Sequence, residues 1–106
     1  MDAVTAVSGS GPAYFYYLAE ALKEAAMKLG IKKENATKLA AATLVGSGAL
    51  LDSLNLTPDA LRKRVTSKKG TTEAALAVLK SKKFNSIVTE AVKAACKRSK
   101  KLSKGA

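Results

Sequence analysis

Apolar residues recur along this chain at helical spacing, in one block after another. After the turn at Ser8-Gly9-Ser10-Gly11, the positions Tyr14, Tyr17, Leu18, Ala21, Leu22 and Ala25 follow the i, i+3, i+4, i+7 template of an amphipathic helix. Ser10 or Gly11 is placed to cap that helix, Pro12 suits its first position, and Gly30 sits where it should stop. A second helix is expected from about Lys33 to Leu54. A third begins at Thr57-Pro58-Asp59, with a threonine cap, a proline at the first position and an acid in the first turn. It runs to about Val65. A fourth begins near Thr72 and meets a lysine-rich turn at Lys80 to Lys83. The last is expected from Phe84 to about Leu102, on the spacing of Phe84, Ile87, Val88, Ala91, Val92 and Ala95. No strand pattern interrupts the series, so the fold class is all-α, a bundle of about five helices.

Two of these helices are apolar on every side over part of their length. Ala13 to Ala19 carries no charge, and the second helix reads "LAAATLVGSGALL" through its middle. A helix that is apolar all round is buried all round. Ala42 and Gly46 make a small-xxx-small step with Gly48 and Ala49 beside it, and each glycine inside a helix costs about 1 kcal/mol relative to alanine. One small domain cannot wrap two such helices, so an intertwined oligomer is expected, most simply a two-fold dimer. A tight monomeric bundle is the alternative. The uncharged run Leu39 to Leu51 is too short to span a bilayer, and no membrane partner or signal peptide is expected.

Composition changes this picture in two ways. With 106 residues the chain fits one domain, expected to fill 1–106 with a basic, flexible tail over 98–106. Its net charge of +11 raises nucleic acid or another acidic partner as an alternative function, that of a free-standing basic helical module. Much of the charge near the end, however, suits a helix C-terminus and a solvated tail, so nucleic acid is not the expected partner. The single cysteine, Cys96, and the lack of histidine exclude a disulfide framework and argue against zinc or any metal site. Cys96 reads as a packed thiol, and the chain fits a reducing, cytoplasmic setting.

One stretch carries chemistry. In "VTSKKGTTEAAL" (Val65 to Leu76) a glycine and two threonines open a helix behind two lysines. The first N–H groups of a helix lack internal partners and lie at its positive end, so a carboxylate or phosphate fits there. Gly70 allows close backbone approach and a positive φ, and Ser67, Thr71 and Thr72 add hydroxyls. A plain turn capped by Thr72 is the equal alternative. The stretch is not a nucleotide P-loop, and no acid–base catalytic set can be drawn.

Two stretches together carry a resemblance. "DAVTAVSGSGPAYFYYLAEAL" (Asp2 to Leu22) and "LRKRVTSKKGTTEAALAVL" (Leu61 to Leu79) resemble the C-terminal dimerisation domain of pyrroline-5-carboxylate reductase, and "EAVKAACKRSKKL" (Glu90 to Leu102) is similar to that family's last helix. The resemblance implies proline biosynthesis by hydride transfer from NADPH or NADH to the imine carbon of 1-pyrroline-5-carboxylate. It implies an interlocked homodimer, and in some members a decamer of five dimers. By position it gives Ser67, Gly70, Thr71 and Thr72 to the substrate carboxylate and sets the Thr72 hydroxyl against the ring nitrogen. The family commonly has glycine where this chain has Lys69, a change that either crowds the cleft or draws in the anion. The family's N-terminal Rossmann domain is absent from this sequence. No cofactor-binding residue is therefore assigned here, and the chain, expected to be an excised domain or a truncated product, is expected to reduce nothing alone.

Overall fold

A computed structural model describes residues 1–66 and 70–105. Among these the chain is helical throughout, with no strand. Helix α1 (Asp2–Val4) passes into a π-helical segment (Thr5–Gly9), followed by α2 (Gly11–Lys28), α3 (Lys33–Leu54), α4 (Pro58–Thr66), α5 (Gly70–Ser81) and α6 (Phe84–Gly105). The five longer helices are those expected from periodicity, and the fold class is all-α.

The boundaries follow local chemistry. Helix α2 stops at Gly30, whose φ of +98° is open to glycine but strained for any other residue. Around it the Ile31 N–H donates to the Ala26 carbonyl (3.1 Å) and the Gly30 N–H to that of Met27 (3.0 Å). These are the two bonds of a Schellman motif, which satisfies carbonyls the helix leaves open. Helix α3 ends on Asn55 in the left-handed region (φ 52°, ψ 40°), a conformation asparagine tolerates well. Helix α4 begins as expected at Pro58, with the Thr57 Oγ1 accepting from the Ala60 N–H at 3.3 Å. Lys83, at φ 59°, makes the reversal between α5 and α6.

Three boundaries differ from expectation. Ser10 is not an extended cap: it closes the π segment with helical backbone (φ −84°, ψ −16°), and its N–H donates to the Thr5 carbonyl five residues back. Gly11, buried, is then the first residue of α2, and Pro12 the second. Helix α5 already includes Gly70, so Thr72 lies within it rather than at its start. The expected tail, from Arg98 on, is helical to Gly105, because lysine and arginine are good helix formers and cations suit a helix C-terminus.

By backbone packing the chain forms two units, Met1–Gly11 with Arg62–Ala106, and Pro12–Leu61. In the first, α6 packs against α1, the π segment and α5. Ala6 is fully buried there, and the Ser99 hydroxyl donates to the Asp2 carboxylate at 2.7 Å, joining residues from opposite ends of the sequence. In the second unit Ala36 and Ala40, one turn apart on α3, are buried. Phe15, Leu18 and Leu22 of α2 and Leu44, Gly48 and Leu51 of α3 line an open apolar groove of about 450 Å³. Hydroxyls within this apolar material are satisfied locally, as where Thr43 Oγ1 donates to the Leu39 carbonyl at 2.7 Å.

The core within one chain is small. Ala6, Ala36 and Ala40 are its buried apolar residues among those described, and no large side chain is fully buried. Phe15 (58% exposed), Tyr17 (74%) and Val45 (70%) stand in the open on α2 and α3. No single described helix is long and apolar enough to cross a membrane.

Two substitutions check these boundaries by urea denaturation at fixed protein concentration. Gly30→Ala forces an L-residue into left-handed backbone and is expected to cost about 1–2 kcal/mol. Thr57→Ala removes the α4 cap and is expected to cost about 1 kcal/mol, with Thr57→Ser restoring most of it.

Candidate functional site

The anion-binding turn expected from the sequence adjoins α5, whose first three described residues are Gly70, Thr71 and Thr72. N–H groups in the first turn of an α-helix lack internal acceptors. This placement decides between the two readings of the turn in one respect. Thr72 lies inside the first helical turn and is not the residue that caps it. Ser67 and Lys69 lie outside the described residues, as does Lys68.

Gly70 plays a different part from the one expected. Among the described residues Gly30 is the glycine with positive φ, and Gly70 is not strained in that sense. A Cβ added at Gly70 would meet nothing within 4 Å. The packing of the described residues therefore gives no reason for a glycine there. Gly70 and Thr71 are exposed and Thr72 is half-buried, so a ligand can reach the backbone while the Thr72 hydroxyl is held closer in.

The electrostatics are simple. Aligned peptide dipoles place a partial positive charge at the first turn of α5. Glu73 also sits in that turn, where an acid favours the helix and competes with an incoming anion. Arg62, Lys63 and Arg64 occupy the end of α4, just before the turn in sequence. No described group of His, Cys, Asp or Glu side chains could hold a metal ion. Cys96 is half-buried on α6. The first turn of a helix offers N–H donors that suit an anion, and Thr71 and Thr72 add hydroxyls beside them.

The contact between Asp2 and Ser99 and the π segment that carries Ala6 were not foreseen. Two residues 97 positions apart give no sequence signal of pairing. A single π turn leaves no periodic trace in so short a stretch.

Comparison with known proteins gives the setting of this turn. The family model described as pyrroline-5-carboxylate reductase dimerisation matches residues 1–102. A pyrroline-5-carboxylate reductase of Pseudomonas aeruginosa is 46% identical over 102 residues, which are 96% of this chain and 37% of that protein. Pyrroline-5-carboxylate reductase 2 of Bacillus subtilis is 42% identical, covering 93% of this chain and 36% of the relative. Among solved structures, a pyrroline-5-carboxylate reductase from Coxiella burnetii superposes with a TM-score of 0.88 at 40% identity, over 95% of this chain and 37% of the other. The Plasmodium falciparum pyrroline carboxylate reductase, solved with NADP bound, gives 0.87 at 36% identity, over 94% and 38%. The chain thus spans between a third and two-fifths of the length of these relatives. Over that span sequence and fold agree, and the chain belongs to the pyrroline-5-carboxylate reductase dimerisation family.

Proposed function

We propose that this chain is the C-terminal domain of a pyrroline-5-carboxylate reductase, where it supplies the dimer interface and the turn that holds the substrate's carboxylate. The observation that carries the reading is the family match over residues 1–102. Gly70, Thr71 and Thr72, to which the resemblance gives the carboxylate, stand together at the described start of α5, which supports it. The reaction is hydride transfer from NADPH or NADH to the imine carbon of 1-pyrroline-5-carboxylate, a step of proline biosynthesis in the cytoplasm.

The roles of the residues are those the family resemblance implies. Ser67 offers its hydroxyl to the carboxylate, and the N–H groups of Gly70, Thr71 and Thr72 complete the cradle. The Thr72 hydroxyl faces the ring nitrogen and holds the imine in place as hydride arrives at the neighbouring carbon. Donors fixed in advance by a helix end need no reorganisation during the reaction, which is the basis of electrostatic and positional catalysis. No titratable side chain is required for that part of the work.

Cofactor binding belongs to a separate dinucleotide-binding domain of the kind the resemblance implies.

The partner in the interface is a second copy of the chain, and dimers can assemble further into a decamer. The groove between α2 and α3 and the exposed Phe15, Tyr17 and Val45 form the apolar surface it covers. Gly46 and Gly48 support the same reading, since a Cβ at either would meet nothing within 4 Å in its own chain. Two glycines in mid-helix cost about 1 kcal/mol each relative to alanine. Close approach of the partner's backbone offsets that cost.

Sedimentation of the purified chain is expected to show a dimer, or a multiple of it, at both 50 mM and about 1 M salt, because apolar association survives screening. Gly46→Val is expected to shift it toward monomer; unchanged dimer stability would remove α3 from the interface. Mixed with NADPH and the imine, the chain alone is expected to give no turnover. Fused to the dinucleotide-binding domain of a relative, it should give turnover that Thr72→Val reduces about 10- to 100-fold in kcat/KM, the cost of one charge-assisted hydrogen bond.

A further inference from the structure

The chain's charge is divided unequally between its two units. Pro12–Leu61 holds five lysines and five acids and is neutral. Met1–Gly11 with Arg62–Ala106 holds the other fourteen lysines and arginines against three acids, Asp2, Glu73 and Glu90, which is the whole net charge of +11. Six of those cations stand on α6, where Glu90 is the single acid.

Two faces of α6 have different surroundings. Val92, Ala95, Cys96 and Ser99 are half-buried, on a helix that packs against α1 and the π segment. Lys93, Lys97, Lys100 and Lys104 are exposed, at i, i+4, i+7 and i+11. On a regular helix those positions share an arc of about 60° and form a line about 16 Å long. Arg98 and Lys101, also exposed, lie beyond it on one side. Among the described residues none of these six cations makes an ion pair. Like charges three and four residues apart repel, so the bare line works against its own helix. The C-terminal dipole compensates only lysines of the last turn, which leaves Lys93 and Lys97 unexplained.

The make-up of the line narrows what can cover it. A second copy of this chain brings no excess of negative charge, since one of its units is neutral and the other cationic. An anionic membrane is held by an apolar face buried below the cations. Beyond Val88, Leu102 is the large apolar residue of α6 that stands exposed, and it lies on the side of the helix away from the lysines. A straight row of lysines matches a dense, regular row of phosphates. Duplex DNA carries one negative charge per about 1.7 Å of axis, so about 16 Å of it presents about ten. Lysine acts as a point charge, which suits contact with the backbone and reads no sequence.

We propose that the exposed lysine line of α6 docks on the phosphate backbone of duplex DNA without regard to sequence, as a second role of this domain beside the reductase one. The inference stands apart from the carboxylate-binding role given to the start of α5.

The test is fluorescence anisotropy of a labelled mixed-sequence DNA duplex of about 20 base pairs, titrated with the full chain between about 50 and 200 mM NaCl. Neutralising four phosphates gives a slope of about −3.6 in log K against log salt, so affinity is expected to fall about 100-fold over that range. A second duplex of unrelated sequence should bind alike. Lys97→Gln/Lys100→Gln, with helicity checked by circular dichroism, should flatten the slope by about 1.8, and Lys97→Gln alone by about half as much. Lys28→Gln/Lys38→Gln, in the neutral unit, should leave it unchanged.

No binding of the duplex at about 50 mM NaCl overturns the proposal. So does a slope that both α6 variants leave unchanged, because other cations then hold the DNA. Capture by vesicles rich in phosphatidylserine, with no binding of the duplex, assigns the line to a lipid surface and overturns it as well. Binding of poly-glutamate as tight as that of the duplex assigns it to acidic polypeptide and does the same.

Discussion

The constraint on which this structure depends is that one chain cannot bury its own apolar surface. The buried apolar residues described are three alanines, while phenylalanine, tyrosine and valine on α2 and α3 face outward. Full burial of a leucine or phenylalanine is worth about 1.5–3 kcal/mol, and none reaches it here. Helices whose apolar faces exceed what their own chain can cover are stable only when something else covers them. In the proposed dimer that cover is a second copy, and folding and association would then be one event with a stability that depends on concentration. The abundance of alanine and glycine on α3 follows from the same requirement, because small side chains let helices of two chains come close.

That constraint also separates tasks along the chain. Residues 12–61 carry the apolar groove and no net charge, and the remainder carries the cations and the donor turn. Joining apolar surfaces favours neutrality, since two highly charged faces would repel. Holding an anion favours the opposite. Putting the demands on different units avoids a compromise between them. The bond from Ser99 to Asp2 belongs to the cationic unit, where it ties α6 to α1.

Most of the fold was legible because its signals are local. Gly30, Thr57 and Pro58 each mark a boundary through a mechanism that acts within four residues, and the Schellman motif and threonine cap are where the sequence places them. What escaped was non-local or ambiguous. The serines and glycines of Ser8 to Gly11 read as a turn, yet the backbone passes through them as a π segment packed on α6, a tertiary contact that no local pattern announces. The lysines after Arg98 read as a solvated tail on charge, but their helix propensity carries α6 on to Gly105. At the site, the motif was legible as a helix start. Its register was not, because Gly70 and Thr72 are both plausible first-turn residues and only the backbone distinguishes them.

The site's register matters to its chemistry. Had Thr72 capped α5, its hydroxyl would be occupied by a backbone N–H two or three residues on, and it would have little left for a ligand. As the third residue of the helix it has no capping duty, and its hydroxyl and N–H can both serve the bound molecule. Gly70 at the first position keeps a side chain away from the same helix end. In the proposed role, a carboxylate held by backbone N–H groups would align a flat five-membered ring by one edge, and the Thr72 hydroxyl would then meet the ring nitrogen. That role orients an imine through helix-end donors alone and asks for no histidine.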